Sequence, residues 1–333
     1  MKYDLSTIGS ALVDFTFSID KAYEANLAKY EIPKGSMTLI EREDQEALIN
    51  ELMAMNISLD KACGGSGTNT TVAASMFGAN CHMSCILSDD DHGRFYIEDL
   101  LLNKVSHSNP PVSSNLASGR CLVMVSPDAE RTMCTNLGIN SELSMDDINQ
   151  EIIKESDYLF LEGYLVASSK GMEVCKYALK IAKEHDTKVS ISFSDPNIVN
   201  AFRNEIQSLL KIRCDLVFCN EEEALAFAET DNLLDAFEVL KEVSPNFLIT
   251  QGSSGCIGFN GKNKIDIPGH KVEAIDSNGA GDMFAGAVLY CLSQDKNLEE
   301  GAKFGCYAAS KVVSKVGPRL PKEEYGEIKF NYS

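Results

Sequence analysis

Positive charge is scarce in this 333-residue chain: 30 Lys and Arg stand against 49 Asp and Glu, a net charge of −19. The shortage excludes a basic face able to displace counterions from nucleic acid. It leaves phosphorylated metabolites open, because backbone N–H groups and a divalent cation can carry the phosphate charge. Long apolar runs are missing too: none approaches the ~20 residues that span a bilayer. The opening MKYDLSTIG reads as a strand and lacks the apolar stretch of a signal peptide. A zinc site is also excluded. The 11 cysteines are scattered, and the Cys81/Cys85 spacing has no second pair to complete one. Cys214 and Cys219 flank Leu216-Val217-Phe218, which places them as reduced thiols in packed surroundings. The expectation is a cytoplasmic protein with a small-molecule partner, no nucleic acid, no membrane, and a monomeric or homodimeric state.

Internal repeats, low-complexity tracts and flexible linkers are absent as well. Hydrophobic content of 44% and charged content of 24% are those of a globular protein, and the length suffices for a sizeable core. Short apolar runs recur at 5–9, 82–87, 158–163, 188–193, 216–220 and 246–252. Helical patterns lie between and after them, near 65–78, 91–104, 170–185, 198–211, 221–243, 280–294 and 297–315. Non-alternating strands separated by helices predict a three-layer, doubly wound α/β fold with a mostly parallel central sheet, its ligand beyond the C-terminal strand ends. Two regions break the rhythm. Leu12, Phe15 and Phe17, followed by Thr38–Glu41, read as half-exposed antiparallel strands, and 117–136 reads as a hairpin turning at 126–130. The chain 1–333 is thus expected to be one domain carrying a small β-sheet lid, inserted at roughly 11–20, 33–62 and 108–140.

Two nucleotide motifs are missing. Gly261-Lys262 is followed by Asn263 rather than Ser or Thr, so there is no Walker A loop. Gly279-Ala280-Gly281 is followed by Phe284 where a dinucleotide fingerprint needs its third glycine, and GGSGTN lacks that glycine too. What is present is DSNGAGDMFAGAVLY at 276–290: small residues immediately before an apolar helix. The first N–H groups of that helix lack intrahelical partners and carry the positive end of its dipole, so a phosphate can approach them. Asp282 in the first turn can then accept the proton of an attacking hydroxyl while those N–H groups stabilise phosphoryl charge. The same residues also fit an acidic N-terminal helix cap after a turn.

DSNGAGD resembles the Asp-Thr-x-Gly-Ala-Gly-Asp signature of the ribokinase-like (PfkB) carbohydrate and nucleoside kinases. Gly64-Gly65-Ser66-Gly67-Thr68-Asn69 resembles the family's first signature, and Gly9 to Asp14 its N-terminal Gly-x-x-x-x-Asp. Asn220-Glu221-Glu222-Glu223 is similar to its Asn-x-x-Glu, and Thr250-Gln251-Gly252 with Gly255 to its Thr-x-Gly-x-x-Gly loop. The five motifs occur in the family's order and cover essentially residues 5–318. The resemblance implies Asp282 as catalytic base, with Gly279, Ala280 and Gly281 as anion hole. It implies Asp14, Gly64, Gly65 and Asn69 as ligands of the sugar hydroxyls. Thr250, Gly252 and Gly255 would line the nucleotide site, and Asn220 and Glu223 would organise ATP and Mg²⁺, the metal held mostly through water. A helix cap for Asn220 and a hairpin turn for Gly252 and Gly255 are the plainer readings. Ser277-Asn278 departs from the commoner Thr-x, which puts K⁺ dependence in doubt although Asp276 is available for a monovalent cation.

Residues 33–42 and Arg131–Gly138 resemble the adenosine-kinase-like branch, which implies phosphorylation of adenosine to AMP in purine salvage. Phe15, Phe17, Met37 and Met133 are the apolar candidates for the base, with Phe17 and Met133 taken as substrate-binding; packing within the lid is the alternative for each. Ribose or fructose kinases, inosine or guanosine kinases and a non-catalytic nucleoside-binding regulator are the other readings. The intact Asp282 weighs against the regulator, and the missing fingerprint against a dehydrogenase.

Overall fold

The computed structural model describes residues 2–128 and 130–332; Ala129, in the expected turn at 126–130, lies outside them. Among the described residues the large sheet has nine strands. These are β1 (Tyr3–Ile8), β5 (Cys81–Ser84), β6 (Val105–Ser106), β9 (Ser156–Glu162), β10 (Lys188–Ser192), β11 (Leu216–Asn220), β12 (Phe247–Thr250), β13 (Gly255–Phe259) and β14 (Lys264–Pro268). Their spatial order is β14-β13-β12-β11-β10-β9-β1-β5-β6. Pairing is parallel from β6 to β12 and antiparallel only at β12–β13 and β13–β14.

Burial on both faces explains the unbroken apolar runs. Tyr158 and Phe160 of β9 join one core cluster and Leu159 and Leu161 the other, because successive strand residues point to opposite faces. One cluster packs under the helices Ser66–Phe77, Ala280–Ser293 and Leu298–Val312, and the other under Ser169–His185, Pro196–Leu210 and Glu221–Ala228. The helical pattern expected at 221–243 is two helices, Glu221–Ala228 and Leu233–Val243. Glu229 turns left-handed at the end of the first, and Asn232 caps the second by accepting from the Leu234 N–H.

A second sheet has five strands in the order β3-β8-β7-β2-β4: β2 (Leu12–Ser18), β3 (Met37–Leu39), β4 (Asp60–Gly64), β7 (Gly119–Val125) and β8 (Arg131–Asn136). The expectation of purely antiparallel pairing needs correction. β2–β4 and β7–β8 are antiparallel, whereas β2–β7 and β3–β8 are parallel. The helix Arg42–Ala54, unforeseen from sequence, lies between β3 and β4 in the chain and supplies Leu48, Ile49 and Leu52 to the core.

The strand order of the large sheet reverses at β1, whose neighbours are β5 and β9. A crevice opens at such a switch point, beyond the carboxyl ends of the strands. Among the described residues no helix is long and apolar enough to cross a membrane. The cysteines are all free, Cys214 half-buried and the others buried.

Candidate active site

A cleft of about 450 Å³ lies between the two sheets. Its floor comes from the carboxyl ends of large-sheet strands and two helix starts; its roof comes from β2, β3, β7 and β8 of the small sheet.

At one end stands Asp282, in the first turn of the helix Ala280–Ser293. Its Oδ1 accepts from Ser66 Oγ at 2.7 Å and its Oδ2 from Asn69 Nδ2 at 3.0 Å. Burial raises its pKa, while these two bonds and the charge of Arg319 hold the shift down. Gly279 caps the helix with φ +71, and a Cβ there would overlap the backbone of Pro318. Only glycine meets both demands. The N–H of Ala280 bonds to the Ser277 carbonyl and that of Met283 to the Gly279 carbonyl. The N–H groups of Gly281 and Asp282 between them have no partner among the described residues. They sit at the positive end of the helix dipole, beside open space at Gly281.

Asp14 on β2 lines the same cleft and is 7% exposed. Burial pushes its pKa up to about 7, against the pull of Arg319 and Arg131. No group among the described residues donates to its carboxylate, so its acceptor capacity is free for a ligand. The carboxylate lies against the Cα of Gly64, where any Cβ would overlap it. Gly65 and Asn69 border the cleft with it. The site residues Asp14, Gly64, Gly65, Asn69, Gly279, Gly281 and Asp282 are therefore neighbours, drawn from β2, from the end of β4, from the start of the helix Ser66–Phe77 and from the start of the helix Ala280–Ser293. Ala280 is partly buried against the core beneath them.

Asn220 and Glu223 lie further along the floor and form a reciprocal capping box: Glu223 N donates to Asn220 Oδ1 at 2.7 Å and Asn220 N to Glu223 Oε2 at 3.1 Å. The plainer reading, a cap, is thus realised, yet both residues also line the cleft. Burial pushes the Glu223 pKa up to about 8, with Asp195 and Asp282 adding to it. Thr250 sits beside Asn220 on the adjoining strand, outside the cleft lining, as do Gly252 and Gly255. Gly252 is exposed with open space around it, whereas Gly255 opens β13 against the Ile267 carbonyl. The three are thus outside the cleft wall, Thr250 being joined to it through its neighbour Asn220.

Two expected residues are corrected. Phe17 is 0% exposed and packs in the core. On β2, Leu12 and Asp14 share the cleft face, so Phe17, an odd number of residues from both, faces away from it. Met133 does line the cleft, with Met37, Leu39, Val123 and Leu137. Asp276 is not open to a monovalent cation. It is 2% exposed, and its carboxylate accepts from Arg131 Nε at 2.6 Å and from Arg131 Nη2, from Asn278 N at 2.9 Å and from Gly317 N at 2.7 Å.

Sequence reasoning missed Glu162, which ends β9, is 2% exposed and accepts from Ser10 N at 2.7 Å and Gly67 N at 2.6 Å. It ties the β1–β2 turn to the start of the Asn69 helix; burial pushes its pKa up to about 7. A carboxylate closing an apolar strand at the carboxyl edge was the available signal. Arg319 carried no such signal, and the resemblance of Arg131–Gly138 to the family's lid stretch did not point to the ion pair that Arg131 makes with Asp276.

A family model described as pfkB family carbohydrate kinase matches residues 35–324. The chain is similar to the adenosine kinase of Saccharomyces cerevisiae, 24% identical over 347 residues that cover 97% of this chain and 98% of that protein. It is also similar to the ribokinase of Haemophilus influenzae, 28% identical over 265 residues, covering 77% and 82%. Among solved structures, the adenosine kinase from Sinorhizobium meliloti superposes with a TM-score of 0.90 at 29% identity, covering 96% of each chain.

Proposed function

Because the chain belongs to the pfkB family of carbohydrate kinases, phosphotransferases with an alcohol group as acceptor, we propose that it transfers the γ-phosphoryl group of ATP to the hydroxymethyl group of adenosine, giving AMP and ADP. The observation that carries adenosine over a bare sugar is the apolar roof. Met37, Leu39, Val123, Met133 and Leu137 border a cleft of about 450 Å³, and apolar walls suit a purine, whereas a sugar alone needs only the polar floor. The relatives named adenosine kinase are matched over nearly their whole length.

In this reading Asp14 accepts hydrogen bonds from the ribose hydroxyls, a task its carboxylate performs best when ionised, with both oxygens acceptors. Asp282 takes the proton of the hydroxymethyl oxygen as that oxygen attacks the γ-phosphorus and the bond to the β-phosphate oxygen breaks. The N–H groups of Gly281 and Asp282 stabilise charge on the phosphoryl oxygens, in place of the Ala280 N–H expected there, which is bonded to the Ser277 carbonyl. Arg131 lines the same cleft, and its Nη1 is buried without a partner among the described residues, so it can serve the same oxygens. Thr250, Gly252 and Gly255 take the nucleotide, next to Asn220 on the adjoining strand. Glu223 and Asn220 would hold Mg²⁺ mostly through water, since their oxygens line the cleft floor beside the carboxylates of Asp195 and Glu222. When bound, the metal neutralises phosphate charge.

The test is ADP release with ATP and Mg²⁺ across adenosine, inosine, guanosine, ribose and fructose, beside thermal shifts with each acceptor. Adenosine should turn over fastest and stabilise most at equal concentration, and Met133→Ala should weaken adenosine more than ribose. Faster turnover of ribose or fructose with no thermal shift from adenosine would make the protein a sugar kinase.

A further inference from the structure

Behind the reaction centre, out of the cleft, lies a chain of side chains that sets which way the Asn69 amide faces. Arg319 Nε donates to Asn69 Oδ1 at 2.8 Å, and Arg319 Nη1 donates to Asp99 Oδ2 at 2.6 Å. Asn69 Nδ2 in turn donates to Asp282 Oδ2. A guanidinium can only donate, so it must face the oxygen of the amide. The amide nitrogen is thereby turned toward Asp282. Were the amide flipped, Nδ2 would meet Nε donor to donor, and Oδ1 would face a carboxylate. Asp99, on the helix Asp91–Leu102, keeps the guanidinium in place. The same helix sends Tyr96 to the Gly64 carbonyl at 2.7 Å and to Thr68 Oγ1 at 2.6 Å, bracing the start of the Asn69 helix.

The residues before Arg319 touch the other half of the centre. Gly317 N donates to Asp276, and Pro318 packs on Gly279 so closely that no side chain fits between them. The segment Gly317–Arg319 therefore reaches both the anion-hole turn and the partner of Asp282, although it belongs to none of the glycine-rich motifs.

We propose that Arg319 is a positioning residue for the phosphoryl transfer, holding Asn69 in the orientation that presents a donor to Asp282 and keeps that carboxylate aimed at the acceptor hydroxyl. The proposal rests on the reading of Asp282 as base. Of the charged groups around Asp282, Arg319 favours its ionisation, while the Asp282 charge in turn helps to keep Asp14, Glu162 and Glu223 protonated. Arg319 is the cation of this set, so its removal makes Asp282 harder to ionise.

The experiment compares wild type with Arg319→Met, Arg319→Lys, Asp99→Asn and Asp282→Asn, measuring kcat, both KM values and the pH profile of kcat. Arg319→Met should lower kcat by about 10- to 100-fold, part of the ~10²–10⁴ that a positioned base supplies. Its KM for ATP should stay near wild type, and its acid limb should move to higher pH. Arg319→Lys keeps the charge and loses the fork, so it should return the acid limb toward wild type while restoring kcat only in part. Asp99→Asn, which touches neither Asn69 nor Asp282, should lower kcat without moving the KM for ATP; it decides the matter if Arg319→Met does not fold. Wild-type kcat and acid limb in these variants, with Asp282→Asn inactive, would overturn the role of Arg319. Full turnover by Asp282→Asn would instead overturn the base assignment, and the proposal with it.

Discussion

Arg131 and Asp276 form a buried ion pair that joins the small sheet to the loop ahead of the Asp282 helix, with side chains 7% and 2% exposed. Arg131 is the first residue of β8; Asp276 also holds the N–H groups of Asn278 and Gly317. Removing one partner of such a pair leaves a buried charge uncompensated, which costs about 3–5 kcal/mol. Asp276→Ala should therefore lower the free energy of unfolding in urea by that order. The double variant Asp276→Ala, Arg131→Met should lose less than the sum of the two single changes. Simple additivity would mean that the pair is not coupled.

Asp282→Asn keeps the shape of the side chain and removes the carboxylate proposed as base. Its kcat should fall by ~10²–10⁴, with ATP and acceptor binding near wild type. Retention of more than about a tenth of the wild-type rate would remove Asp282 from that role.

Gly64→Ala puts a methyl group where the Asp14 carboxylate lies. The carboxylate must move, and charged hydrogen bonds to the acceptor hydroxyls are lost. The acceptor KM should rise by about 10- to 100-fold, the equivalent of one or two such bonds, while the KM for ATP stays unchanged. A rise in the ATP KM instead would place Asp14 at the other end of the cleft.

Asp14, Glu162 and Glu223 hold their protons to about pH 7, 7 and 8 in the folded protein, because burial disfavours their charge. In the unfolded chain they release them near pH 4, roughly the ordinary carboxylate value. Between those limits the folded state binds more protons, so the stability of the ligand-free protein should fall as pH rises from about 5 to about 8. Urea midpoints across that range check the slope, which Asp14→Asn should flatten. The acceptor KM should move the opposite way, worsening as pH drops below about 7, where Asp14 takes up its proton.

What could be read from the sequence was local in sequence. Gly279 to Asp282 and Gly64 to Asn69 each lie within one loop-and-helix start, so spacing alone encodes their geometry. Phe17 went astray although the strand's two-residue alternation separates it from Asp14. Asp276 was misjudged because its partner Arg131 lies 145 residues away in the chain, and Arg319 is 250 residues from Asn69. No local pattern records a contact of that kind. The helix expected across 221–243 failed for the converse reason: Asn232, a strong cap, was passed over within a helical stretch.

The cleft takes its apolar roof from β3, β7 and β8, while Asp282, Glu162 and Glu223 stand on elements of the large layer. In the proposed reading the apolar contacts to the acceptor thus stand on a different sheet from Asp282, while Arg131 of that same sheet reaches across to Asp276. Substitutions at Met37, Leu39, Val123 or Met133 can reshape what is admitted without disturbing the carboxylate that reacts. Exchange of these roof side chains is then a route to a different acceptor that leaves Asp282 and its two hydrogen-bond partners in place.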